Sequence, residues 1–175
     1  ITLDLHKSLM LPYGTGLLLV KNVNNMMFNY QADDSYMPPK GIEHYDYADI
    51  TPELSRDFRG LRVWLPIKTM GIDPFVLNLE EKIQLANFAT TKLREMKNIV
   101  VTSEPDLSIL TFKHAKGSIA TKMLLEKINN DQTLFLSGAI IENENVIRIC
   151  FLGMKLHFNR VVEGLNKIEK LASEV

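Results

Sequence analysis

From Asn98 to the C-terminus the hydrophobic residues switch repeatedly between a period of two and a helical period, and this succession restricts the fold more than any other feature. Asn98 to Ser103 and Leu107 to His114 read as strands across the turn Glu104-Pro105-Asp106, and Ser118 to Asn129 as an amphipathic helix after Gly117. Leu134 to Ile140 and Asn145 to Leu152 form a second strand pair across Glu142-Asn143-Glu144, and Phe158 to Leu171 closes the chain as a helix. The order ββαββα predicts an antiparallel sheet with helices on one face, a small α+β unit.

Upstream the pattern is less regular. Ile1 to Leu5 and Thr15 to Val20 read as strands on either side of the turn Leu11-Pro12-Tyr13-Gly14-Thr15-Gly16, the second so apolar that a buried strand is expected. Asn22 to Tyr30 suits a short helix. Residues 31–53 turn to Asp, Tyr, Pro, Gly and Ser with little periodicity, and a loop that long inside a compact domain points to a lid or binding loop. Ser55 to Met70 carries enough apolar residues for a buried helix, Trp64 among its core residues, with a kink at Pro66. Asp73 then offers an N-cap with Pro74 at the first helical position, and a linking helix can run to about Met96. The expected division is 1–97 and 98–175. The chain has no initiator methionine and begins inside a strand, which suggests part of a longer polypeptide.

Several function classes drop out. A net charge of -1, with Lys and Arg spread along the chain, leaves no nucleic-acid footprint. The apolar run Leu17 to Val20 is far below the roughly 20 residues of a membrane-spanning helix. The single cysteine, Cys150, excludes an intrachain disulfide, fits a reducing cytoplasm, and reads as buried filler inside an apolar run. His44, His114 and His157 stand apart from one another and from Cys150, so no metal site is expected.

The residues that carry chemistry lie at the start. Asp4-Leu5-His6-Lys7 sets a lysine beside a histidine just past a short strand and before the glycine-bearing turn. An amine attacks an aldehyde only when deprotonated, and apolar walls or a neighbouring cation push a lysine toward that form. On these residues alone Lys7 also reads as a solvated loop lysine. Taken with the turn Leu11 to Gly16, Asp33-Asp34-Ser35-Tyr36-Met37, and Leu54-Ser55-Arg56-Asp57-Phe58-Arg59-Gly60-Leu61-Arg62-Val63-Trp64, however, the chain resembles the group II pyridoxal-phosphate decarboxylases, among them the aromatic amino acid and histidine decarboxylases. Val146-Ile147-Arg148-Ile149-Cys150 before the last helix is similar to that family's last strand, so the likeness spans the whole chain.

The resemblance implies an α/β, fold-type I transferase architecture. The chain would hold the end of the pyridoxal-phosphate-binding large domain, with its catalytic loop at 31–53, and the small C-terminal α+β domain. The family's ring-stacking residue, its pyridine-nitrogen aspartate and most phosphate ligands would lie upstream. Pyridoxal 5'-phosphate would form a Schiff base with Lys7, and Tyr36 of the mobile loop would return a proton to Cα after carbon dioxide leaves. His6 matches the histidine near the cofactor phosphate. Asp4 is a further candidate cofactor-binding residue, standing where some members carry asparagine as a phosphate ligand, although an aspartate there would repel the phosphate unless its neighbours compensate. Ser55 marks a position near the substrate, while Thr15 and Gly16 permit close backbone approach, including approach by a partner subunit at a homodimer interface. Arg56 and Arg59 are expected to be buried partners of carboxylates, and Arg148 to sit in a structural ion pair.

The expected activity is decarboxylation of an L-amino acid with an aromatic or imidazole side chain. The alternatives are an aldehyde synthase, against which the retained Tyr36 argues, and a non-catalytic dimerisation piece. The isolated chain is expected to be inactive.

Overall fold

The computed structural model describes residues 1–29 and 47–175. Contacts divide these into Ile1–Gly71 and Ile72–Val175.

In the first unit β1 (Thr2–Asp4) pairs antiparallel with β2 (Gly16–Leu18), Asp4 facing Gly16 and Leu3 facing Leu17. A single helical turn, α1 (Leu5–Ser8), follows β1, and buried Leu5 and Leu11 anchor the return of the chain. Among the described residues the unit also holds two helices, α2 (Asn24–Asn29) and α3 (Leu61–Met70), with a 3-10 turn at Tyr47–Asp49 before the second. Pro66 lies inside α3, as expected, and Gly71 ends it at φ 77, a conformation that favours glycine. Two expectations of burial fail here. Leu17 and Leu18 of β2 are exposed, and α3 buries none of its residues, with Trp64 58% exposed. The apolar pattern marks surface that water disfavours, but no described element of this unit covers it.

The second unit carries a four-stranded antiparallel sheet in the order β3-β4-β6-β5, formed by β3 (Ile99–Ser103), β4 (Ile109–His114), β5 (Ser137–Ile141) and β6 (Glu144–Cys150). The β5–β6 turn has positive φ at Glu142 (50) and Asn143 (65), the two-residue geometry that matches strand twist. Register places Phe112 beside Ile147 and Leu110 beside Ile149. These four pack into one apolar core with Leu85, Ala86, Ala89 and Leu93 of α4 (Asp73–Glu95), Leu124 and Ile128 of α5 (Ser118–Asn130), and Leu165 and Ile168 of α6 (Phe158–Ser173). The helix expected to link domains thus packs on the sheet. Asp73 is its first helical residue and Ile72 its cap, with no side-chain capping bond, so the acidic side chain helps through the helix dipole instead.

Buried Lys82 interrupts the apolar stripe of α4. Its ammonium donates to Leu156 O at 2.6 Å and to Glu81 Oε2 at 2.6 Å, while His157 Nδ1 bonds Glu81 Oε1 at 2.8 Å. The bond from His157, followed by that from Lys82, holds the Glu81 carboxyl below its ordinary value. A carboxyl depressed in the folded state contributes stability that is complete above its unfolded value and is lost as pH falls through the folded one. Thermal midpoints should therefore fall more steeply for the natural chain than for Glu81→Gln below about pH 4.5. Parallel acid limbs would show that this cluster carries no linkage.

His114 is fully buried, and both ring nitrogens are satisfied: Nε2 donates to Ala172 O at 3.1 Å and Nδ1 accepts from Lys116 N at 3.1 Å. Among the described residues no three His, Cys, Asp or Glu side chains gather as a metal site, and no helix is long and apolar enough to cross a membrane.

Candidate active site

A strand cannot continue past Asp4 because the chain turns into α1, and this bend brings residues 4–7 back over the 12–16 turn. Thr15 O accepts from His6 N at 3.2 Å and bonds His6 Nδ1 at 2.9 Å, so one carbonyl fixes both the backbone and the ring of His6. With Nδ1 donating to Thr15, Nε2 is the ring nitrogen left for another partner. The Tyr13 ring meets the imidazole edge-on with centroids 5.0 Å apart. Thr15 is buried, and its hydroxyl donates to Pro12 O at 2.7 Å. Gly14 takes φ 80, which makes it the glycine this turn requires, whereas Gly16 has ordinary space around it.

Lys7 projects from the same turn with 56% of its side chain exposed, and its Nζ lies 2.5 Å from Asp4 Oδ2. The lysine meets a carboxylate in place of the expected apolar walls. The bond from Lys7 and its charge, with a smaller contribution from His6, keep the Asp4 carboxyl below its ordinary value. Asp4 is thus the counter-ion of Lys7.

Of the residues singled out in the sequence, Asp4, His6, Lys7, Thr15 and Gly16 stand together. Ser55 is exposed on the segment before α3 and does not belong to this hydrogen-bonded group. Tyr36 and His44 lie outside the described residues. Arg59 pairs with Glu53 at 2.9 Å and Asp57 at 3.1 Å in the open, so it is not the buried donor expected. Arg56 donates to Glu53 O at 3.0 Å and stacks over Tyr47 at 5.5 Å. Arg148 bonds the Ser137 hydroxyl at 3.2 Å, in place of the expected ion pair.

Arg62 is a positioning residue that the sequence reading passed over. Its Nη1 donates to Tyr13 O at 3.1 Å while Nη2 holds Asp57 at 2.5 Å, tying the 12–16 turn to α3. The only trace in the sequence is an acidic residue five positions earlier.

This arrangement offers an accessible primary amine, a carboxylate that holds it and an imidazole fixed beside it. The donor set suits a group that carries an aldehyde. Comparison with known proteins agrees. A family model, the pyridoxal-dependent decarboxylase conserved domain, matches residues 1–115. The aromatic-L-amino-acid decarboxylase of Bacillus atrophaeus is 28% identical over 100% of the chain and 39% of its own length. The 4-hydroxyphenylacetaldehyde synthase of Rhodiola rosea is 23% identical over 94% of the chain and 35% of its own length. The chain therefore spans well under half the length of these relatives. Its fold is similar to that of Oryza sativa TDC solved with PLP and tryptamine, at TM-score 0.75 and 18% identity, covering 85% of this chain and 33% of that one. That likeness agrees with the α/β, fold-type I architecture expected from the sequence.

Proposed function

Because the chain belongs to the pyridoxal-dependent decarboxylase family, we propose that the intact polypeptide converts an L-amino acid with an aromatic or imidazole side chain to its amine and carbon dioxide, with Lys7 as the covalent anchor of pyridoxal 5'-phosphate. The observation that carries this reading is the accessible Lys7 amine, held by Asp4 in a turn fixed through His6 and Thr15. When bound, the cofactor supplies a sink for the electron pair left on Cα as carbon dioxide departs.

The chain's own residues do the rest. Asp4 holds the Lys7 amine in place until substrate or cofactor displaces it. His6, its Nδ1 committed to Thr15, would hold the cofactor phosphate by donating from Nε2. Tyr36 delivers the proton to Cα, since a phenol can act as an acid while its ring keeps water out. Ser55 borders the substrate, and the Thr15–Gly16 turn meets the second subunit of a cytoplasmic homodimer.

The Rhodiola relative favours a second reading, an aldehyde synthase that couples decarboxylation to oxidative deamination with dioxygen. Product analysis separates the two. Intact polypeptide given tryptophan, tyrosine or histidine should release amine without aldehyde or peroxide, and Tyr36→Phe should divert product toward the aldehyde. Unchanged amine output from that variant removes Tyr36 from the mechanism; aldehyde from the natural enzyme establishes the second reading.

A further inference from the structure

Strand β5 is an outer strand of the second unit's sheet, hydrogen-bonded to β6 along one side, with no strand on its other side among the described residues. Open edges of soluble proteins are commonly guarded by lysine, proline or a bulge, because unpaired peptide groups recruit another strand. β5 has none of these guards. It reads Ser-Gly-Ala-Ile-Ile, Ile140 is 73% exposed, and Phe135 just before it is 83% exposed.

We propose that β5 pairs antiparallel with β5 of a second copy of this chain, about a two-fold axis at Ala139, joining two sheets into one. In that register Ile140 of one copy faces Gly138 of the other. Gly138 lies beside Ile147 and Ile140 beside Asn145 in the β5–β6 ladder, so both belong to the helix-covered face. Leu125 closes over Gly138, and beside them lies a hollow of about 270 Å³ lined by Lys122, Leu125, Gly138, Ile140 and Val146. The opposing Ile140 fills it, and the symmetry repeats the fit.

Charge selects the antiparallel sense. Arg148 bonds Ser137 at the start of β5 and has no ion pair among the described residues. Glu142 follows the end of the strand, while Glu144, the register partner of Ile141, is already ion-paired with Lys113 of β4. Antiparallel pairing sets the Arg148 end of each copy against the Glu142 end of the other, whereas parallel pairing sets like against like. The surface lies wholly in the second unit, so this pairing does not depend on the chemistry at Lys7.

Residues 1–175 with Cys150→Ser and Ala139→Cys test it. Residues directly opposite in an antiparallel pair have Cα atoms about 4.5–5.5 Å apart, inside the disulfide range. Mild oxidation should therefore give covalent dimer on the order of tenfold faster than a cysteine at exposed Val100 on the opposite outer strand. Adding Ile140→Lys should abolish the difference while circular dichroism stays unchanged, since that side chain already faces solvent. Equal crosslinking from Ala139→Cys and Val100→Cys overturns the pairing, as does undiminished crosslinking with Ile140→Lys; association through any other surface would give the first of these results.

Discussion

Replacing Phe112 by alanine is expected to destabilise the second unit by about 3–5 kcal/mol. Phe112 is fully buried in β4, a central strand, where it lies between Val101 of β3 and Ile147 of β6. Its ring belongs to the core that residues of α4, α5 and α6 share with the sheet, so its loss leaves a cavity inside that core. Backbone hydrogen bonds on both sides hold the strand in place and limit collapse into the cavity, which puts the cost toward the upper end. A domain's total stability is roughly 5–15 kcal/mol, so this one change removes a large share of it. Urea unfolding should show a lowered midpoint with an unchanged slope. Phe135→Ala, at a ring that is mostly exposed, should stay within about 0.5 kcal/mol. Near-equal costs for the two would mean that the core is centred elsewhere.

The same packing explains why residues 98–175 were legible in sequence. The sheet there has one face on the helices and each helix one apolar stripe, so the period marks the element type, although β4 buries Leu110, Thr111 and Phe112 in succession. Where strand limits moved, a side chain had taken the place of a ladder. Leu134 to Leu136 read as strand, yet Leu136 N donates to Asn129 Oδ1 at 2.9 Å and Asn129 Nδ2 donates to Leu136 O at 3.1 Å. An asparagine amide at the end of α5 thus acts as the neighbouring strand would, and β5 begins only at Ser137. Lys82 was unreadable for the opposite reason, since its burial depends on a carbonyl 74 positions away.

Residues 1–71 show the limit of pattern. Apolarity predicted burial for β2 and α3, but burial requires a covering surface that composition does not supply. The candidate site was half visible. The tetrapeptide placed Asp4, His6 and Lys7 together because they are neighbours in the chain, whereas Arg62 reaches Tyr13 across 49 positions and leaves no periodic trace. Asp4 was found as a residue, but its ion pair with Lys7 was not foreseen, because the reading considered only a phosphate.

That ion pair shapes the second large expectation. An amine attacks an aldehyde carbon only as the free base, and the exposed Lys7 amine is engaged by Asp4 in an ion pair that must open first. Lys7→Ala and Lys7→Arg then make different demands on the turn. Arginine keeps a cation for Asp4 and preserves the local electrostatics, but a guanidinium does not lose its proton near neutrality and so cannot bond the aldehyde. In the intact polypeptide both variants should lose amine formation by a factor on the order of 10² or more, since the covalent anchor itself is gone. Borohydride reduction in the presence of pyridoxal 5'-phosphate should label Lys7 in the natural protein and neither variant. If Lys7→Arg instead retains activity while Lys7→Ala loses it, Lys7 serves only as the counter-ion of Asp4; if the label appears on another lysine, the anchor lies outside this turn and the decarboxylase reading must be rebuilt around that residue.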